Sequence, residues 1–280
     1  MDRRDFLAAA MAVAFTSRYG SAASEHHIER IGVQLYTVRD LLKNDFEGTL
    51  HQVAQIGFKE VEFANYFADL GNLNPPPKRV REILDSDGLA APSGHVPYSA
   101  LSVENWPRVL EAAAIVGHKY IVNPSIDRDL AKQADGWKRA AETFNRAGKE
   151  ALRSRIQLTY HNHTEEFKPV EGKLPYDILL SESDPKLVKM EMDLGWAHVA
   201  GANPLEYFAK YPGRFPLVHV KDFDKNGNMT EVGKGVIDWK GIFAKSDVAG
   251  IQHYFVEHDE PKSPMESIQI SYAYLKQLRF

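Results

Sequence analysis

From Ile31 onward, short runs of aliphatic and β-branched residues alternate with longer stretches in which apolar positions recur every three or four residues. This alternation predicts parallel strands joined by crossover helices. The strand segments are 31–36, 58–63, 89–95, 119–123, 156–161, 187–193, 216–221 and 251–257. The intervening helical segments are 46–56, 77–87, 104–116, 130–153, 175–182, 204–210, 239–245 and 264–278. Gly57, Gly88, Gly117 and Gly250 each sit just ahead of a strand, where a helix C-terminal glycine belongs. No linker or composition shift divides the chain. The pattern therefore predicts an α/β protein with one (β/α)8 barrel over residues 24–280, and its competitor is an open, doubly wound sheet.

A length of 280 residues suits such a barrel, and 44% hydrophobic with 26% charged residues describes a globular chain. The balance of 34 Lys and Arg against 38 Asp and Glu gives a net charge of −4. That leaves no basic footprint for a phosphate backbone, so nucleic acid is not expected as a partner. Cysteine is absent, which excludes disulfides, thiolate catalysis and Cys-held metals. A metal here must be held by His, Asp and Glu.

The first 23 residues read as a leader. Arg3 and Arg4 precede Asp5, Phe6 and Leu7, then an uncharged run over 8–15, then Ser21, Ala22 and Ala23. This resembles a twin-arginine export signal with a peptidase site, so the mature chain is expected to start near Ser24. The apolar run is shorter than the roughly 20 residues that span a bilayer, so no stable membrane anchor is expected. The expected location is the periplasm, reached through the twin-arginine export machinery.

Barrel chemistry sits at the C-terminal ends of the strands. Here four adjacent strands end in imidazole or carboxylate: Tyr160-His161-Asn162-His163, Glu191-Met192-Asp193, Val218-His219-Val220-Lys221-Asp222 and Val256-Glu257-His258-Asp259. Alternation of faces groups His161 with His163, Glu191 with Asp193, and His219 with Lys221. One inward residue per strand makes a four-point cage. A mixed set of imidazoles and carboxylates suits one borderline divalent ion, namely Mn, Co, Fe, Ni or Zn.

Those motifs, with Asp193-Leu194-Gly195-Trp196 and Phe255-Val256-Glu257, resemble the xylose isomerase-like TIM barrels, often called sugar phosphate isomerases/epimerases. That family also includes tagatose and psicose epimerases, inosose dehydratases and endonuclease IV. The resemblance runs from Ile31-Gly32-Val33-Gln34-Leu35-Tyr36 to Glu257 and implies metal ligands at Asp193, His219 and Glu257. Where relatives commonly carry a strand-five glutamate, this chain has His161, which completes the expected set with His163 in reserve. Only Glu257 then remains of the two glutamates that the ketohexose epimerases use as paired acid and base. The resemblance implies Glu257 as the catalytic base and places Glu62 and His95 where the family meets substrate hydroxyls. From the residues themselves, Lys221 shares the inward face with His219, which suits either neutralising an enediolate as a catalytic group or an ion pair with Glu191, and His163, Glu166 and Trp196 are further candidate substrate contacts. The resemblance implies a metal-dependent isomerase or epimerase acting through an enediolate on a sugar, and the expected export, with the lack of a Gly-rich phosphate loop, favours an unphosphorylated keto-sugar or glycoside. Loss of the aglycone from a 3-keto-glycoside, by proton abstraction at C2, is the alternative reaction. A non-catalytic periplasmic sugar-binding barrel is the alternative class. An endonuclease IV-like repair enzyme would need a basic groove and a larger ligand set.

Overall fold

The computed structural model describes residues 26–64, 66, 67, 69, 71 and 73–280, so the leader expected at 1–23 lies outside the described residues. Eight parallel strands form the barrel: β1 (Ile31–Gln34), β2 (Glu60–Phe63), β3 (Ala90–His95), β4 (Tyr120–Asn123), β5 (Gln157–His161), β6 (Val188–Asp193), β7 (Leu217–Val220) and β8 (His253–Val256). Each lies inside the segment predicted for it. β8 pairs back onto β1 through Ile31 with Tyr254, Gly32 with Phe255 and Val33 with Val256. This closure excludes the open sheet.

The helices Phe46–Ile56, Pro175–Glu182 and Pro204–Lys210 fall where the apolar periodicity places them. The segment expected as one helix over 130–153 is divided. A 3-10 turn, Leu130–Lys132, precedes the helix Ala134–Arg153, because Gln133 between them is extended at φ −133° and ψ 143°. Elements too short to show periodicity escape the pattern: the helices Arg39–Asn44, Leu194–Val199 and Ser246–Ala249, and a ribbon of Asp222–Phe223 against Met229–Thr230. Gly117 and Gly250 close their helices in the left-handed conformation, at φ 99° and 81°.

Most of the apolar core lies between the barrel and its helices, with Trp106, Phe144, Phe208, Phe215 and Trp239 buried there. The barrel interior is plugged by Val122, Leu217 and Phe255, with Tyr120 packed against them. Gly32 is required beside that plug, since a Cβ there would stand 2.5 Å from the Phe255 ring. His26, the first described residue, and Phe280 meet on the floor, the face where strands begin. His26 N–H donates to the Phe280 carbonyl at 2.9 Å, and Phe280 N–H donates back to His26 at 3.0 Å.

Candidate metal centre

Above the apolar plug, the strand ends turn polar. β2, β6, β7 and the residue after β8 carry Glu62, Glu191, Asp193, His219 and Glu257, all buried. Register explains the meeting: His161 is paired with Glu191 and Asp193 with His219 across neighbouring strands. Asp193 is also the N-cap of Leu194–Val199, accepting from the Trp196 N–H through Oδ1 at 2.7 Å, which leaves Oδ2 for the barrel interior.

His219 is the hub. Its Nδ1 lies 2.7 Å from Glu257 Oε2 and 3.8 Å from Asp193 Oδ2, while its Nε2 lies 2.6 Å from Glu62 Oε2 and 3.2 Å from Glu191 Oε2. Glu191 Oε2 also meets His95 Nε2 at 2.9 Å and His161 Nδ1 at 3.1 Å. Two groups of ligand atoms result, each within 4.8 Å throughout: Asp193, His219 and Glu257, and His95, His161, Glu191 and His219. His161 is held further from the first group, its Nε2 being 4.0 Å from Asp193 Oδ2.

Burial alone would raise Glu62, yet His95 and His219 hold its carboxyl well below the usual range. Burial, aided by the Glu62 charge, pushes Glu191 up to about 7. Burial would lower His95, but Glu62 and Glu191 carry it up to about 9. His161 is driven well below the usual imidazole range by burial, and then by the raised His219 and His95 imidazoles and the Lys221 ammonium beside it. Lys221 makes ion pairs with Asp193 at 3.2 Å, Glu257 at 3.0 Å and Asp259 at 2.8 Å. Burial opposes its charge, and those carboxylates overcome it and raise the ammonium.

The donor set fits a divalent ion. Glu62 Oε1 and Glu191 Oε1 are buried without a hydrogen-bond partner, Asp193 Oδ2 makes no hydrogen bond and meets the Lys221 ammonium at 3.2 Å, and orphaned buried carboxylate oxygens call for a cation. When one ring nitrogen of a histidine coordinates a metal, the other ordinarily donates to a carboxylate. His219 has that choice on both sides.

A cavity of about 320 Å³ opens over this centre, lined among others by Gln34, Tyr36, His95, His161, His163, Lys221, Glu257 and Asp259. Three of the expected substrate contacts lie elsewhere. Glu62 is fully buried between Gln34, His95 and His219. Glu166 is turned aside, one oxygen accepting from the Tyr160 hydroxyl and the other from the His163 N–H, both at 2.7 Å. Trp196 packs on Phe223 with ring centroids 5.3 Å apart and lies 4.7 Å under the Lys221 ammonium, so it supports the wall without lining it. Lys221 pairs with Asp193, Glu257 and Asp259, and the ion pair with Glu191 weighed from parity is not formed. Sequence reasoning passed over Gln34 and Asp259, and it placed Glu191 on the inward face without a role. The Gln34-to-Glu62 pairing was readable only as two polar residues at adjacent strand ends.

A family model described as "Xylose isomerase-like TIM barrel" matches residues 50–278. The chain belongs to this family. Among curated relatives of this xylose isomerase-like barrel is the inosose dehydratase of Lacticaseibacillus casei, 26% identical over 81% of this chain and 86% of that protein. Among solved structures, a sugar phosphate isomerase/epimerase from Parabacteroides distasonis superposes with a TM-score of 0.79 at 29% identity, over 91% of this chain and 96% of the other. The IolI protein, solved with a bound zinc atom, shares the fold at TM-score 0.68 and 14% identity, over 87% of this chain and 95% of that one.

Proposed function

We propose that this barrel is an exported, metal-dependent lyase that eliminates a β-oxygen substituent from an unphosphorylated keto-sugar, keto-polyol or keto-glycoside. The observation that carries the reading is the asymmetry of the cavity. Glu257, Lys221 and Asp259 stand together on the β7–β8 side, and imidazoles, His161 and His163, stand on the β5 side. Epimerisation at one carbon wants two matched proton-transfer groups on opposite faces of that carbon. Elimination wants a base at one carbon and an acid at the oxygen leaving the next. A carboxylate on one side and imidazoles on the other suit the second demand. The likeness to inosose dehydratases supports it.

Asp193, His219 and Glu257 would hold the ion, with His161 completing the set. Glu62 accepts from the far nitrogen of His219, with Glu191 beside it at 3.2 Å. When bound, a divalent ion supplies Lewis acidity to the substrate carbonyl and its neighbouring hydroxyl. Glu257 takes the proton from the carbon beside the carbonyl, and the C–H electron pair becomes the enediolate double bond. Lys221, kept cationic by its three carboxylates, faces the developing negative oxygen. The enediolate oxygen then re-forms the carbonyl, the double bond shifts to lie between the α and β carbons, and the β C–O bond breaks with its electron pair on oxygen, which takes one proton from His163 and departs as water or an alcohol. Tyr36 and Gln34 close the opposite edge of the cavity and orient hydroxyls. The twin-arginine-like leader supports a periplasmic site of action, where phosphorylated sugars are scarce.

Incubating metal-loaded protein in heavy water with a panel of free keto-sugars, keto-inositols and 3-keto-glycosides tests this by NMR. Loss of water or aglycone, with an unsaturated product, is expected. Deuterium entry with the carbon skeleton and oxygens intact would assign isomerisation or epimerisation instead. No exchange with any substrate would leave a sugar-binding barrel.

A further inference from the structure

The segments that follow β1 and β2 enclose a second cavity, of about 210 Å³, beside the active one. Arg39, Leu42 and Phe46 line it from the β1 side, and Phe63, Ala64 and Tyr66 from the β2 side. Its character is aromatic. The Phe46 and Phe63 rings lie within 12° of parallel with centroids 6.2 Å apart, and the Tyr66 ring is 5.3 Å from Phe63. The Tyr66 hydroxyl donates to the Pro75 carbonyl at 2.6 Å, which fixes that ring in place. Leu42, Phe46 and Tyr66 are only half-buried, so apolar surface there still meets water and gains from being covered.

Two features join this cavity to the active one. Ala64 lines both, and the residue they share carries only a methyl side chain. Arg39, in the wall of the apolar cavity, donates to the main-chain carbonyls of Tyr36 at 2.8 Å and Asp259 at 2.6 Å, and its guanidinium lies 4.0 Å from the centre of the Tyr36 ring. Tyr36 and Asp259 in turn line the active cavity. The volumes decide what belongs where. At about 320 Å³ the active cavity is at the low end of ligand sites and holds one sugar ring, so a substituent on that ring must extend beyond it. Beside it, about 210 Å³ with aromatic walls suits a flat ring packed against other rings, and not a length of peptide.

We propose that the apolar cavity is an aglycone subsite, and that the ligand reaching across Ala64 is a glycoside with an aromatic aglycone, its sugar in the active cavity and its aromatic ring against Phe46 and Tyr66. This rests on the reading of the active cavity as a sugar site and not on the reaction performed there.

Matched phenyl and methyl β-D-glucosides and β-D-galactosides, which have no keto group to react, are titrated calorimetrically into the metal-loaded protein, with phenol alone as a further probe. The phenyl glycoside should bind at least about tenfold more tightly than its methyl partner, the worth of burying an aromatic ring. Ala64→Phe should bring the ratio of the two affinities to about one. Phe46→Ala, which lies outside the active cavity, should lower the same ratio and weaken phenol alone. Equal affinities within a phenyl and methyl pair that both bind would overturn the subsite and leave the sugar reading standing. A ratio unaltered in both variants would place the aglycone elsewhere and overturn it as well. Phenol bound through Phe46 with no glycoside bound would overturn the sugar reading and the spanning ligand with it, and binding of no probe at all would do the same.

Discussion

Glu257 bears two loads through one oxygen. Its Oε2 lies 3.0 Å from the Lys221 ammonium and 2.7 Å from His219 Nδ1. Burial would raise this carboxyl, but Lys221 and His219 lower it instead, so it remains ionised. Glu257→Gln removes the charge and the basicity while keeping an oxygen donor. Elemental analysis should still find about one ion per chain, with turnover lower by roughly 10² to 10⁴, the usual worth of general-base catalysis. His219→Ala should lose the ion altogether, because both ligand groups pass through that ring. Full turnover by metal-loaded Glu257→Gln would move the base to another residue. At this scale the sequence was legible in one respect and mute in another. Strand parity placed Glu191, Asp193 and His219 on the inward face, and the resemblance placed Glu62 at a strand end, but neither carries information on depth. Whether an inward carboxylate lines a cavity, as Glu257 does, or is buried beneath it, as Glu62 is, depends on the stagger of strands around the closed barrel.

Among the elements, the segment after β7 depends most on a single side chain. The buried carboxylate of Asp222 accepts from the N–H groups of Phe223, Gly233, Gly235 and Ile237 and from the Trp239 indole at 3.0 Å. The loop from 223 to 238 thus folds back on one residue, and this brings Met229 against the segment after β8, its sulfur 3.2 Å from the Asp259 N–H. Asp222→Ala strands several buried donors, each worth about 1–3 kcal/mol. Denaturant unfolding should show a loss of at least about 3 kcal/mol. A smaller loss would mean that the loop is held elsewhere. Nothing in the sequence announced this, since Asp222 sits at the end of an alternating run and its partners lie up to 17 positions on. The eight strands and the longer helices were legible because each repeats its period several times. Leu194–Val199 is too short to do so, and only its capping Asp193 hinted at it.

For the molecule as a whole, closing the barrel gathers Glu62, Glu191, Asp193, Glu257 and Asp259 into a small volume, offset among nearby groups by Lys221 and two raised histidines, His95 and His219. A divalent ion relieves part of that repulsion. At a free concentration about 100-fold above its dissociation constant it adds about 2.7 kcal/mol, or roughly 5 to 10 °C in Tm at about 2–4 °C per kcal/mol. Exhaustive chelation should lower the Tm by that amount, and readdition should restore it. An unchanged Tm would argue that no ion contributes to the fold. The clasp between His26 and Phe280 has a consequence of another kind. With His26 and Phe280 joined back to back on the floor, a tether fastened at Phe280, whether to a bead, a bilayer or a second domain, leaves the mouth of the barrel pointing away from its support. An immobilised enzyme of this shape presents its working face to the medium without further engineering.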